Sequence, residues 1–130
     1  MTMHDTADAT VADRFLSAYG AHDWAALGEL MSTDVTWTLP GTARISGTAR
    51  GVDAVVDRVR QIVDSGVRTE LLNVLLGQDG VTLSLRNTAS ANGRELDEHL
   101  ATVLRLRDGV VVQIETYLSD VPGMVAFFGN

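Results

Sequence analysis

Four stretches of alternating apolar and polar residues fill the chain after Gly66, each separated from the next by a pair suited to a tight turn. They run over 67–76, 81–89, 94–107 and 110–119, with Asp79-Gly80, Asn92-Gly93 and Asp108-Gly109 between them. A period of two puts the apolar side chains of a strand on one face, and Asx-Gly pairs accept the positive φ angles of two-residue hairpins. The pattern predicts an antiparallel meander of three successive hairpins.

Upstream the period changes. Val11, Phe15, Ala18 and Tyr19 recur at helical spacing, with Asp8 or Thr10 as candidate caps, and Trp24, Leu27, Leu30 and Met31 predict a short second helix closed by Thr33 and Asp34. Val35, Trp37 and Leu39 alternate against threonines in a strand that Pro40-Gly41 must end. The stretch 41–51, with Gly41, Gly47 and Gly51, reads as a mobile loop. Val52, Val55, Val56, Val59, Ile62 and Val63 then form the apolar stripe of a long helix that Gly66 stops. Helices, a strand, a helix and four strands lack the regular alternation of a parallel sheet, so the class is α+β, and one domain over 1–130 is expected.

The composition sets limits on function. Hydrophobic residues make up 45% of the chain, enough for a core, and a formal charge of −7 argues against nucleic acid or anionic membrane as partners. There is no cysteine, so thiol nucleophiles and thiolate metal sites are excluded. His4, His22 and His99 are too scattered for a metal site, and no phosphate loop or serine-nucleophile elbow occurs, so no metal and no cofactor is expected. The acidic start MTMHDTADAT lacks the basic-then-apolar order of a secretory signal, and no apolar run approaches a membrane span. A cytoplasmic location is the expectation.

The helical AYGAHDWAALGELMSTDV, the strand end WTLPG, the helix entry GTARG and the hairpin RLRDGVVVQIETYLSD, in that order, resemble the cone-shaped fold shared by nuclear transport factor 2, ketosteroid isomerase, limonene epoxide hydrolase and the SnoaL-like polyketide cyclases. The resemblance implies a curved antiparallel sheet wrapped around the long helix, a pocket at the open end for a small apolar organic ligand, and a homodimer through the sheet face. It does not carry over the best-known chemistry. The base of ketosteroid isomerase falls on Leu39, its oxyanion tyrosine on Phe15 and its second aspartate on Val103, while the Arg-x-Asp pair and the aspartate of limonene epoxide hydrolase fall on Leu83, Leu85 and Thr116.

A two-residue Asp108-Gly109 turn pairs Val103 with Ile114, Ala101 with Thr116 and His99 with Leu118. The resemblance turns that face to the pocket, where the substrate-binding lining becomes Phe15, Tyr19, Trp37, Leu39, Val59, Leu83, Leu85, Ala101, Val103, Ile114, Thr116 and Leu118. His99 is then the one inward group that titrates near neutrality, a candidate catalytic acid or base or else a hydrogen-bonded core residue. Asp97 or Asp120 would orient its ring, unless Asp120 caps a final helix ahead of Pro122. Arg44 and Arg50 are placed to meet an acidic ligand or simply to be solvated. Leu100, Leu104, Leu106, Val111 and Tyr117 form an outer strip for the homodimer, and Met124, Val125, Phe127 and Phe128 a tail over the pocket. These features imply cofactor-free proton transfer on an apolar ring-bearing or polyketide-like molecule, giving isomerisation, cyclisation or dehydration, with a non-catalytic binding protein as the alternative.

Overall fold

A computed structural model describes residues 3–129, with side chains from Asp8 onward. The elements run α1 (Met3–Gly20), α2 (Trp24–Glu29), β1 (Met31–Leu39), β2 (Gly47–Arg50), α3 (Val52–Asp64), β3 (Arg68–Leu76), β4 (Gly80–Ala91), β5 (Arg94–Arg107), β6 (Val110–Leu118) and α4 (Val121–Phe128). The six strands form one curved, unclosed sheet in the order β2-β1-β6-β5-β4-β3, antiparallel throughout except for the β1–β6 pair. This is the α+β architecture expected, with α3 packed on β1 and β2 and α1 across β3 and β4. Leu27, Val35, Val55, Leu83, Leu104 and Val111 lie at the centre of the core, each no more than 1% exposed.

Several elements differ from the sequence expectation. Asp8 and Thr10 are helical residues rather than caps, because α1 begins upstream of them at Met3. Asp23 caps α2, its side chain accepting from the Ala26 N–H, and the helix ends at Glu29, so Met31 opens β1 instead of belonging to the helix and Thr33 and Asp34 lie within the strand. The stretch 41–51 is not a mobile loop. Its second half is β2, hydrogen-bonded to β1, and its first half is pinned by Ser46, whose hydroxyl donates to the Pro40 carbonyl at 2.9 Å and accepts from Ala43 N.

Asn92-Gly93 and Asp108-Gly109 have φ between 53° and 77°, the mirror-image turn that fits strand twist. Asp79-Gly80 behaves otherwise. Gly80 already belongs to β4 and crosses β5 so closely that a Cβ there would lie 2.0 Å from the Leu104 carbonyl oxygen.

The decisive departure lies in the β5–β6 pairing. Leu106 faces Val111 as the turn requires, but Arg105 then faces Gln113, leaving Val112 as an extra residue in β6. Beyond this bulge Thr102 faces Thr116 and Leu100 faces Leu118, so the even-numbered residues of β5 point inward. His99, Ala101 and Val103 are thereby turned to the outer face. The expected outer strip fails for the same reason: Leu104 and Val111 are fully buried and Leu100 packs against the core, while Tyr117 stays exposed. The exposed leucines are Leu71, Leu72, Leu75 and Leu76, all on the edge strand β3.

Candidate active site

The open side of the sheet, α1, α3 and α4 enclose a cavity of about 90 Å³. Its walls are mostly apolar, and Phe15, Tyr19, Trp37, Leu39, Val59, Leu83, Leu85, Ile114, Thr116 and Leu118 line it as the sequence placed them. His99, Ala101 and Val103 do not. The imidazole of His99 is exposed on the opposite face, and its backbone N–H donates to Ser119 Oγ at 2.9 Å. Asp97 does not orient it, being held by Arg86 through two charge-assisted bonds of 2.9 and 2.8 Å that keep its carboxyl below the usual range.

In place of the imidazole the cavity holds the carboxyl of Glu98, which is 3% exposed. Its Oε2 is enclosed and has no hydrogen-bond partner. Burial, and after it the nearby charge of Asp120, push the pKa of this group up to about 7. A carboxyl divided between its two protonation states at neutral pH has the proton affinity that general acid–base chemistry needs.

Two hydroxyl clusters flank it. Thr69 Oγ1 donates to Asn87 Oδ1 at 2.7 Å and lies 2.9 Å from the Tyr19 hydroxyl. A threonine hydroxyl has one hydrogen, so Tyr19 must donate to Thr69, and the amide nitrogen of Asn87 is left as the donor of this cluster. Asn87 stands directly opposite Glu98 across β4 and β5, on the same face. On the other side Trp37 Nε1 donates to Thr116 Oγ1 at 3.0 Å, which lies 3.1 Å from Thr102 Oγ1. The two hydroxyls share one bond, leaving one of their two hydrogens uncommitted.

Thr69, Asn87, Glu98 and Thr102 were missed by sequence reasoning, along with the lining residues Leu16, Ile45, Ile62 and Leu100. A signal for Glu98 existed. Leu96, Leu100 and Leu104 share its parity, while Asp97, Arg105 and Arg107 share that of His99. Asn87 likewise continues the inward series Val81, Leu83 and Leu85.

The tail packs where the sequence suggested. Asp120 caps α4 through the Gly123 N–H at 2.9 Å, and Met124 and Phe128 line the cavity. Arg44 serves this helix instead of a ligand: its backbone N–H donates to the Gly129 carbonyl, its Nε to the Phe128 carbonyl and its Nη1 to Gln61 Oε1. Arg50 is exposed on β2. Arg58 is buried beneath the site with its guanidinium 5.0 Å from the Trp37 ring centroid. It donates to the carbonyls of Trp37, Gly47 and Ser46 and does not line the cavity. Among the described residues no three His, Cys, Asp or Glu side chains come together to hold a metal ion, and no helix is long and apolar enough to cross a membrane. His4 lies outside the described side chains.

Residues 12–114 match the family model of the SnoaL-like domain. The chain belongs to the SnoaL-like domain family. Among its relatives, the uncharacterized protein Rv0034 of Mycobacterium tuberculosis is 28% identical over 97% of this chain and 99% of its own. Bal32a, from a soil-derived mobile gene cassette, is also 28% identical and superposes with a TM-score of 0.88 over 96% of this chain and 98% of that one. Two more distant structures share the fold. One, from Jannaschia sp. CCS1 and provisionally named a SnoaL-like polyketide cyclase, has 16% identity and a TM-score of 0.80 over 100% of this chain and 97% of its own. The other, provisionally named an isomerase and from Rhodopseudomonas palustris, has 22% identity and a TM-score of 0.73 over 90% and 94%. The SnoaL-like cone therefore brings together a buried carboxyl and two sets of hydroxyl and amide groups in an otherwise apolar chamber.

Proposed function

We propose that this SnoaL-like protein is a cofactor-independent enzyme that moves a proton on a compact, neutral organic molecule, with Glu98 as the acid–base group. The observation that carries the reading is the placement of one carboxyl, buried and with an unpartnered oxygen, against the cavity. In the ionised state Glu98 takes a proton from an acidic carbon. Negative charge then develops on the substrate oxygen, where the uncommitted hydroxyl hydrogen of the Thr102–Thr116 pair or the Asn87 amide can receive it. Return of the proton at a second position completes an isomerisation; attack by the same carbon on a second carbonyl of the molecule, whose π bond opens as its oxygen takes the proton back from Glu98, completes a cyclisation. The names of the Jannaschia and Rhodopseudomonas structures fit this class of reaction.

Substrate charge and size follow from the walls. Among the described residues no cationic side chain lines the cavity, so a carboxylate or phosphate ligand would meet no counter-charge from them there. About 90 Å³ is well below the roughly 300–1,000 Å³ of pockets for drug-sized ligands, which favours small rings over extended polyketides.

The test is solvent-deuterium exchange into a panel of small cyclic ketones and enones, followed by proton NMR. Wild-type protein should accelerate exchange next to the carbonyl, Glu98→Gln should lower the rate roughly 10²- to 10⁴-fold, and His99→Ala should leave it unchanged. Retention of exchange within a few-fold by Glu98→Gln would refute the assignment. Panel members that bind without exchanging would transfer the protein to the non-catalytic, ligand-binding reading.

A further inference from the structure

Asp120 lies outside the cavity lining, yet the chain path places it beside Glu98. Leu100 pairs with Leu118. The ladder continues one step further, because Ser119 N donates to the His99 carbonyl at 2.9 Å and His99 N donates to Ser119 Oγ at 2.9 Å. The next position brings Asp120 opposite Glu98, and residues paired across antiparallel strands project to the same face. Asp120 cannot swing away freely, since its Oδ1 is held by the Gly123 N–H as the cap of α4.

We infer that Asp120 is a positioning residue for Glu98: the carboxylate that starts the helix closing the cavity also sets how firmly the buried carboxyl holds its proton. The inference rests on the reading of Glu98 as the acid–base group. Two carboxylates in cross-strand register disfavour simultaneous ionisation, so a negative charge at Asp120 makes the buried Glu98 keep its proton to higher pH. The Asp120 charge acts on Glu98 in that direction, second to burial.

The other surroundings of Glu98 are consistent with this pairing. β4 presents Asn87, β3 presents Thr69, α1 presents Tyr19 and β5 adds Thr102, and of these only the tyrosine titrates. Arg86, Asp97 and His99 lie on the outer face, where the first two neutralise one another. Arg44 and Arg94 bind the far end of α4, at the Phe128 and Phe127 carbonyls.

The experiment is a carbon-13 NMR titration of full-length protein labelled at glutamate side-chain carboxyls, with Glu98 identified as the signal absent from Glu98→Gln. Asp120→Asn removes the charge and keeps a good helix cap. It should raise the acid constant of Glu98 roughly three- to tenfold, moving the midpoint to lower pH, with melting behaviour close to wild type. Asp120→Ala should shift the midpoint equally and also destabilise α4. An unchanged midpoint in Asp120→Asn would overturn the inference, as would a shift seen only in Asp120→Ala, which would make the cap and not the charge responsible. A wild-type midpoint near the ordinary 4.5 would instead remove the acid–base reading of Glu98 itself.

Discussion

Replacing Glu98 by glutamine should change how the stability of the protein depends on pH, in a direction that the burial of the carboxyl sets. In the unfolded chain the carboxyl ionises near its ordinary 4.5, whereas in the folded protein burial and the Asp120 charge move it to about 7. Below the lower value both states are protonated and Glu98 has no pH-dependent effect. Between the two the unfolded chain has released its proton while the folded one retains it, so each rise in pH favours unfolding. Above about 7 the penalty is complete and constant. At about 1.4 kcal/mol per pH unit the whole interval is worth about 3 kcal/mol, a large part of the roughly 5–15 kcal/mol that holds a domain folded. Urea denaturation at about pH 5 and about pH 8 samples most of it. The stability of wild type relative to Glu98→Gln should fall by about 2–3 kcal/mol between those two conditions, other carboxylates cancelling in the difference. Parallel pH dependences of the two proteins would show that Glu98 ionises normally in the folded state and would undo the argument from burial.

Other outcomes follow from single contacts. Thr116→Val removes the acceptor of the buried Trp37 N–H and should cost about 1–3 kcal/mol in denaturation, more than Thr102→Val, which strands no tryptophan donor. His99→Ala, on an exposed outward position, should change stability by no more than about 0.5 kcal/mol. For the homodimer implied by the family resemblance we propose the exposed leucines of the β3 edge as the contact: light scattering should give twice the 13.9 kDa chain mass, and Leu72→Lys with Leu75→Lys should return it to one chain. A wild-type mass of one chain at micromolar concentration would discard that assembly.

The elements were legible wherever one residue type carries one backbone preference. Asn92-Gly93 and Asp108-Gly109 demanded hairpins, the valine stripe of α3 demanded a helix, and Pro40 demanded an end to β1. The site was legible on six elements, because alternation from well-placed turns is reliable until something interrupts it. Val112 interrupts it. A bulge carries no composition signal of its own in VVVQIE, so counting from a correct turn assigned β5 the wrong parity and chose His99 over Glu98. The ends of the stretch 41–51 were hidden differently. Its order comes from Arg58, Ser46 and the β1 edge, which are partners brought from elsewhere in the fold, whereas the local glycine content indicates only freedom.

The unbroken alternation of β5 also has an evolutionary consequence. Whatever residue stands at the Glu98 position supplies the titrating group, and its neighbour His99 is one step out of phase. A single added residue immediately after His99, with the β5–β6 hairpin kept in place, would carry the imidazole into the chamber and the carboxylate out of it. A one-codon change in chain length would then exchange a carboxylate for an imidazole without mutating either residue. Within a scaffold of this kind, insertions along β5 are as direct a route to new acid–base chemistry as substitutions in the cavity wall.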